Sequence, residues 1–242
     1  MKEQSYVALQ QPFSPWCNSR RKRLLDLVLA SLALAVTAPL MLVTAVAIRV
    51  TSGSPVLFRQ WRSGWNGRPF QLLKFRTMQI AAVAYGPGVT RSGDARITRL
   101  GRWLRRWKLD ELPQLINVFF GEMSMVGPRP DLEQYWLQSG HTERQALATK
   151  PGITGAASLI FRNEEDLLAQ VPESELTTFY LRRLLPRKAR LDRDYAAQAT
   201  FWTDCRVLTR TLFHIFSNDS GSPEFMETRE QRLRYPAQRS NS

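Results

Sequence analysis

The stretch "LLDLVLASLALAVTAPLMLVTAVAI", Leu24 to Ile48, carries a single charge, Asp26, in 25 residues. As a straight helix it would extend roughly 37 Å, enough to cross the hydrocarbon layer of a bilayer. Polar residues are almost absent from every face, so the pattern is that of a lipid-facing helix rather than a core helix with one solvated side. A secretory signal is one alternative, with "RRKR" (Arg20 to Arg23) as its basic region and "VTA" before Pro39 as its cleavage site. Proline directly after the cut would block cleavage, and the apolar run continues to Ile48, so the segment is read as a retained anchor. Its flanks are basic on both sides: Arg20, Arg21, Lys22 and Arg23 before it, and Arg49, Arg59, Arg62, Arg68, Lys74 and Arg76 after it. Positive flanks mark the cytoplasmic face. Pro39, near the centre, removes a helix hydrogen bond and clashes with the preceding turn. Symmetric charge and a central proline predict a helix-break-helix that enters the membrane and returns to the same face. A kinked spanning helix is the arrangement these residues leave open.

Around this anchor the 242 residues divide into four parts. Residues 1–19 are polar, contain Pro12 and Pro15, and are expected to be poorly ordered. Residues 20–50 form the membrane element, 51–216 a catalytic domain on the cytosolic face, and 217–242 a polar, disordered tail. Against 21 Asp plus Glu stand 34 Lys plus Arg, a formal charge of +13. That balance attracts phosphates, whether in nucleotides, anionic headgroups or nucleic acid. Cys17 and Cys205 show no metal or redox spacing and fit a reduced cytosolic setting. His141 and His214 are too few for a histidine-rich metal site.

"VLFRQWRSGWNGRPFQLLKFRTM" (Val56 to Met78) reads as two strands joined by a tight loop at "WNGRP". "AYGPGVTRSGD" (Ala84 to Asp94) is a glycine-rich loop without the GxxxxGK[ST] pattern of a P-loop. From Arg99 the period becomes helical, with Leu100, Trp103, Leu104 and Trp107 on one face and Arg102, Arg105, Arg106 and Lys108 largely elsewhere. A basic amphipathic helix with tryptophans suits a membrane interface. A further helix is expected to about Phe120, then an irregular segment, a turn at "KPGITG" (Lys150 to Gly155), and helices to residue 216. In the last of these, Trp202, Cys205, Leu208, Leu212 and Ile215 suggest an apolar face. The fold class is α+β, mainly helical, with interfacial helices and one small β-hairpin.

The chemistry centres on "RRWKLDELPQL", Arg105 to Leu115. Asp110 and Glu111 are adjacent, so on a helix they would not share a face and are free to do different jobs. One carboxylate could act as a nucleophile and the other assist it. Together they offer hard oxygens to Mg²⁺, which commonly binds one or two carboxylates plus substrate phosphates. Arg105 nearby would favour the ionised form a nucleophile needs. In "VGPRP" (Val126 to Pro130), Arg129 sits between two prolines on a stiff loop, suited to gripping a phosphate. Arg162 in "FRNEE", and Lys74 and Arg76 in "LKFRTM", add further cations.

The apolar anchor, "KFRTM", "LDELPQLINVFFGEMSMVGPRP" and "KPGITG", in this order, resemble the bacterial sugar transferase family over about residues 20–216. Its members are monotopic phosphoglycosyl transferases that move a sugar-1-phosphate from a nucleotide sugar to polyprenyl phosphate. The resemblance covers the catalytic core, without the multispanning and Rossmann-like domains of larger relatives. It implies a UDP-sugar donor, undecaprenyl phosphate as acceptor, UMP as leaving group, Mg²⁺ as cofactor and a covalent aspartyl phosphosugar. It also implies the cytosolic face of the bacterial inner membrane, at the first membrane step of surface polysaccharide or glycoconjugate assembly. Asp110 matches the nucleophile and metal contact, and Glu111 its assisting partner. Arg105, Arg129, Lys74, Arg76, Arg162 and Asn163 fall in the substrate-binding set. Two departures stand out. The family's membrane helix is kinked at Ser-Pro, where this chain has Ala38-Pro39. Many relatives read "NGRN" after the "PGITG" turn; here "LIFRN" aligns Arg162 and Asn163 but replaces the glycine with Phe161, which bears on the pocket's shape and hence the sugar.

Two other functions compete. A soluble-type glycosyltransferase, releasing UDP, would use "DRD" (Asp192 to Asp194) as a DxD metal site; no βαβ series precedes it, and these residues read as exposed helix charges. A non-catalytic basic membrane adaptor or nucleic-acid binder is compatible with the charge, but no nucleic-acid-binding motif appears, so nucleic acid is not an expected partner. The sequence sets neither the sugar nor the oligomeric state.

Overall fold

The computed structural model describes residues 13–79 and 90–216. The expectations for residues 1–12 and 217–242, and most of the glycine-rich loop, lie outside the described residues. Helix α1 spans Arg20–Ser52, 33 residues, which is about 50 Å of helix. Ser19 opens it by accepting the Lys22 N–H on its hydroxyl, and Gly53, at φ 76°, closes it in a conformation glycine adopts without a Cβ penalty. The expected break is not there: the helix runs uninterrupted through Pro39. A proline inside a helix costs one backbone bond and a clash, which bends a long apolar helix without ending it. One turn earlier, the Thr37 hydroxyl donates to the Ala33 carbonyl at 2.7 Å, a bond that also favours bending.

Both ends of α1 are tied to the rest of the protein. Near its start, Arg23 donates to the carbonyls of Val118 and Phe119, at 2.6 and 2.7 Å. At its end, Arg76 donates to the carbonyls of Ser52 and Gly53, at 2.5 and 2.9 Å. Between Ser31 and Val43 nothing is buried. Leu32, Val36, Leu42 and Val43 are each more than 60 % exposed, as an apolar segment awaiting lipid would be.

The predicted hairpin is present. β1 (Leu57–Ser63) pairs antiparallel with β2 (Pro69–Phe75), from Leu57 opposite Phe75 to Ser63 opposite Pro69. Asn66 at φ 53° turns the chain between them. α2 (Arg99–Arg106) and α3 (Gln114–Phe120) follow. β3 (Ser124–Val126) precedes α4 (Glu133–Gln138) and pairs in parallel with β4 (Gly152–Thr154), then come α5 (Ala156–Ile160), α6 (Glu164–Ala169), α7 (Leu185–Gln198) and α8 (Phe201–Phe216). The segment read as irregular and the turn read at "KPGITG" are therefore partly a strand pair. Three-residue strands are too short to show a period. Their pairing is visible only in three dimensions, where a Cβ on Gly152 would lie 2.1 Å from the Gly127 nitrogen.

Apolar clusters join the elements. Ala30 of α1 packs with Phe70, Leu72, Val118 and Met123. Ile48 packs with Phe75 and Leu104. A third cluster, remote from α1, joins Tyr135 and Trp136 of α4 to Leu176, Tyr180, Leu184 and Leu185. On α2, Leu104 turns inward while Trp103 and Trp107 stay 51 % and 39 % exposed. On α8, among the residues whose side chains are described, the buried ones are Asp204 and Val207, whereas Trp202 and Leu212 of the expected apolar face are exposed. Residues 13–19 also depart from expectation. Pro15–Asn18 form a short 3₁₀ turn, and Cys17 is buried against Ala196 and Ala199, so this part of the N-terminal segment is packed.

Candidate active site

Asp110 and Glu111 lie on a 3₁₀ turn, Leu109–Glu111, between α2 and α3. Local sequence explains the turn. Lys108 adopts φ 55°, a left-handed conformation costly for a lysine, and stops α2. Pro113 cannot donate a backbone hydrogen bond, so the next helix starts after it. Asn117 of α3 then fixes the turn against the hairpin. Its side chain accepts from the Leu73 N–H at 3.1 Å and donates to the Gln71 carbonyl at 2.8 Å. That sets Lys74, the next residue of β2, beside Glu111.

The two carboxylates have different surroundings, as adjacent residues on a tight turn must. Glu111 Oε1 receives Lys74 Nζ and an Arg129 guanidinium nitrogen, each at 2.8 Å. Burial pushes the Glu111 carboxyl up, but Arg129 and Lys74 outweigh it and hold the group well below the usual carboxylate range. Arg129 is in turn raised by Glu111, whereas burial lowers Lys74 against the pull of the same carboxylate. Asp110 is 5 % exposed, and its Oδ1 is buried without a hydrogen-bond partner. Burial pushes its carboxyl up, against Lys74, which favours the charged form. The dyad thus holds one carboxylate with two cations on a single oxygen and one with a buried oxygen that has no partner.

The catalytic and substrate-binding candidates all line one cleft of about 1840 Å³: Lys74, Arg76, Arg105, Asp110, Glu111, Arg129, Arg162 and Asn163. The structure joins only Lys74, Glu111 and Arg129 directly. Arg105 donates to the Thr77 hydroxyl at 3.0 Å and to Glu165 at 3.1 Å. Arg76 is buried and spent on the last carbonyls of α1, a helix-end contact that sequence reasoning did not foresee. Arg162 lies 3.2 Å from His214 Nδ1, which brings α8 to the rim of the cleft. Leu29, Leu32, Ala33 and Val36 of α1 form one wall and Leu208 and Leu212 of α8 another, so the cleft is continuous with the exposed apolar face of α1.

The DxD reading fails on placement. Asp192 is 4 % exposed and accepts the Ala157 N–H at 3.1 Å, capping α5, while Asp194 is exposed. Neither lines the cleft. The expectation that both are exposed helix charges is corrected for Asp192, whose face of α7 turns inward. Burial pushes Asp192 up to about 7, although the N–H groups of Ala157 and Arg129 and the Lys188 ammonium favour its ionised form. Its folded value lies above the ordinary 3.8, so its stabilising contribution is full below about pH 4 and is lost as pH rises through about 7. The melting temperature should fall between pH 5 and 8 in the wild type. In Asp192→Asn, which cannot ionise, differential scanning calorimetry should show a flatter profile over that range.

The residues around the cleft match a known family. The model for the bacterial sugar transferase family matches residues 17–218. The chain belongs to the bacterial sugar transferase family. A UDP-glucose:undecaprenyl-phosphate glucose-1-phosphate transferase from Caulobacter vibrioides is 39 % identical over 205 residues, 83 % of this chain and 71 % of the relative. Transferases of the same name from Klebsiella pneumoniae and Escherichia coli K12 are 37 % and 36 % identical, over 82 % and 83 % of this chain. In each of these two, the chain spans 41 % of the relative's length. This bacterial sugar transferase also carries polar residues at the cleft that the sequence did not mark: Asp131, Glu164, Tyr180 and Lys188. Of these only Asp131 had a local signal, since it directly follows the "GPRP" loop.

Proposed function

We propose that this bacterial sugar transferase is a phosphoglycosyl transferase that moves a sugar-1-phosphate from a UDP-sugar to undecaprenyl phosphate at the cytosolic face of the inner membrane. One observation carries the reading: the carboxylate with a free oxygen sits in a cation-lined cleft that opens along a lipid-facing helix. A soluble, doubly charged diphosphate and an acceptor held in the bilayer can meet there. The first half-reaction is attack by an Asp110 carboxylate oxygen on the phosphorus bonded to the sugar. The bond to the second phosphate breaks, UMP leaves, and a sugar-phosphoryl-aspartate remains. In the second, the phosphate oxygen of undecaprenyl phosphate attacks the same phosphorus. The lipid diphosphate-sugar forms and the Asp110 carboxylate returns.

Glu111 holds Lys74 and Arg129 at the edge of the cleft, where both can turn to phosphate oxygens; Arg105 offers a third cation, now shared with Glu165. Among the described residues there is no cluster of three or more metal-ligating side chains. Mg²⁺ bound largely by substrate phosphates needs no such cluster, and the orphaned Oδ1 of Asp110 suits a single protein ligand. Bound there, Mg²⁺ would offset the repulsion between donor and carboxylate.

The tie of both α1 ends to one domain supports a membrane helix that returns to the side it entered, bent at Pro39. Single cysteines placed at Ser19 and at the exposed Ser54, with Cys17 and Cys205 replaced, should be equally shielded from an impermeant thiol reagent in intact cells. Labelling of one and not the other would sink the re-entrant topology. The reaction is tested with a panel of UDP-sugars, UDP-glucose first because three relatives are named for it. Release of UMP, dependent on Asp110, is the expected result; release of UDP would make the protein a glycosyltransferase instead.

A further inference from the structure

Beneath the Arg129 loop lies a buried polar cluster that the reaction above does not use. Tyr180, 2 % exposed, donates its hydroxyl to Asp131 Oδ2 at 2.7 Å. Lys188, whose side chain is 4 % exposed, donates to the Tyr180 hydroxyl oxygen at 2.9 Å and to Glu164 Oε2 at 3.1 Å. Arg62 completes the ring, 3.8 Å from Asp131 Oδ1 and donating to the Pro130 carbonyl at 3.3 Å. Tyr180 opens a π-helical stretch, Tyr180–Leu184, a local widening of the helix that often marks a functional position. Burying a lysine and carboxylates together is expensive, and apolar residues of similar volume would stabilise such a site as well or better. The cluster therefore calls for a role besides packing.

We infer that Tyr180, backed by Lys188, is a positioning residue for Arg129 and acts through Asp131. Only Pro130 separates Asp131 from Arg129, and Pro128 precedes it. With φ fixed at both prolines the loop moves nearly as one piece, so holding Asp131 holds the Arg129 backbone. The upstream side is fixed by the strand pair, with Gly127 N–H to the Thr154 carbonyl at 2.9 Å and Gly152 N–H to the Pro128 carbonyl at 2.8 Å. Downstream, the Ser63 N–H reaches the Asp131 carbonyl at 3.2 Å, and the Tyr180 hydroxyl fixes the Asp131 side chain. Without that hydroxyl, Asp131 keeps only the two longer ionic contacts, to Arg62 and Lys188, both at 3.8 Å. The Tyr180 ring, packed on Tyr135 at 5.1 Å between centroids, is unaffected by loss of its hydroxyl.

Tyr180→Phe tests this in the full chain, reconstituted in lipid nanodiscs. The inference rests on the proposed reaction for its kinetic arm only. With a donor the wild type uses, kcat/KM should fall by about 10–100-fold, the usual cost of losing a residue that orients an active-site group. The melting temperature should drop by no more than about 4 °C, the cost of one hydrogen bond in a chain of this size. In an Arg129→Ala background the same substitution should change kcat/KM less than about twofold, because the group it positions is gone. Independently of activity, hydrogen exchange of the peptide covering residues 127–131 should accelerate in Tyr180→Phe while that of α7 does not. Unchanged exchange in that peptide overturns the assignment, as does a kinetic loss that multiplies with that of Arg129→Ala. A wild type that turns over no donor refutes the proposed function instead, and the exchange result alone then decides the role of Tyr180.

Discussion

Asp110→Asn should abolish turnover while leaving the protein folded, membrane-bound and at least as stable as the wild type. The kinetic loss expected for removing a nucleophile is at least about a thousandfold. The stability expectation follows from the site. Asp110 is buried, its Oδ1 has no partner, and burial pushes its carboxyl up. For a carboxyl raised on folding, the stabilising contribution is present below its unfolded value and lost as pH rises through the folded one. Burying this carboxyl without a partner is thus a cost that the neutral amide lowers, and the melting temperature at pH 8 should stay level or rise. A variant that is inactive and also markedly less stable would assign Asp110 a structural role. The covalent step has its own readout. Incubated with radiolabelled donor and no acceptor, the wild type should release UMP and retain label on the peptide containing Asp110. If UMP appears only after undecaprenyl phosphate is added, and no labelled peptide can be trapped, the transfer is direct.

The second large effect lies away from the cleft. Asp204→Ala should destabilise the protein by about 3–5 kcal/mol, the range for removing one partner of a buried ion pair. Asp204 Oδ2 receives Lys22 Nζ at 2.5 Å, with the two side chains 2 % and 5 % exposed. The Trp16 indole N–H reaches the same oxygen at 2.9 Å, and the Tyr195 hydroxyl donates to the other. Alanine would strand an ammonium, an indole N–H and a phenol at the junction of α1, α7 and α8. Thermal unfolding in detergent should show the loss. A double substitution, Lys22→Met with Asp204→Leu, should recover most of it, because no charge is left unpaired. Equal damage in the single and double variants would mean that shape, rather than charge, holds this junction.

These two carboxylates mark the limits of the sequence. Asp110 stood out as a candidate because the features that mark it are local: the adjacent acids, the preceding arginine and the following proline fall within a few residues, and a tight turn presents them together. The same holds for the long apolar helix, whose composition is continuous along the chain, and for the hairpin, whose "WNG" turn fixes its register. Asp204 was illegible because its partner lies 182 positions away. An aspartate on an apolar helix has no local feature that tells a buried ion pair from a solvated charge. The DRD segment shows the same ambiguity: the sequence permits either burial or exposure, and only the packing of α7 decides that Asp192 goes in and Asp194 out.

By itself, then, the sequence marked the family motifs, the long apolar helix and the candidates Asp110, Glu111, Arg105 and Arg129, all of which depend on neighbours along the chain. The tertiary structure alone decided how the cations are shared. It gave Lys74 and Arg129 to Glu111, spent Arg76 on the end of α1, and left an Asp110 oxygen without a partner. Those assignments turn on distances of about 3 Å between residues far apart in the chain, because hydrogen bonds and buried ion pairs weaken steeply beyond contact while sequence pattern carries no such distances.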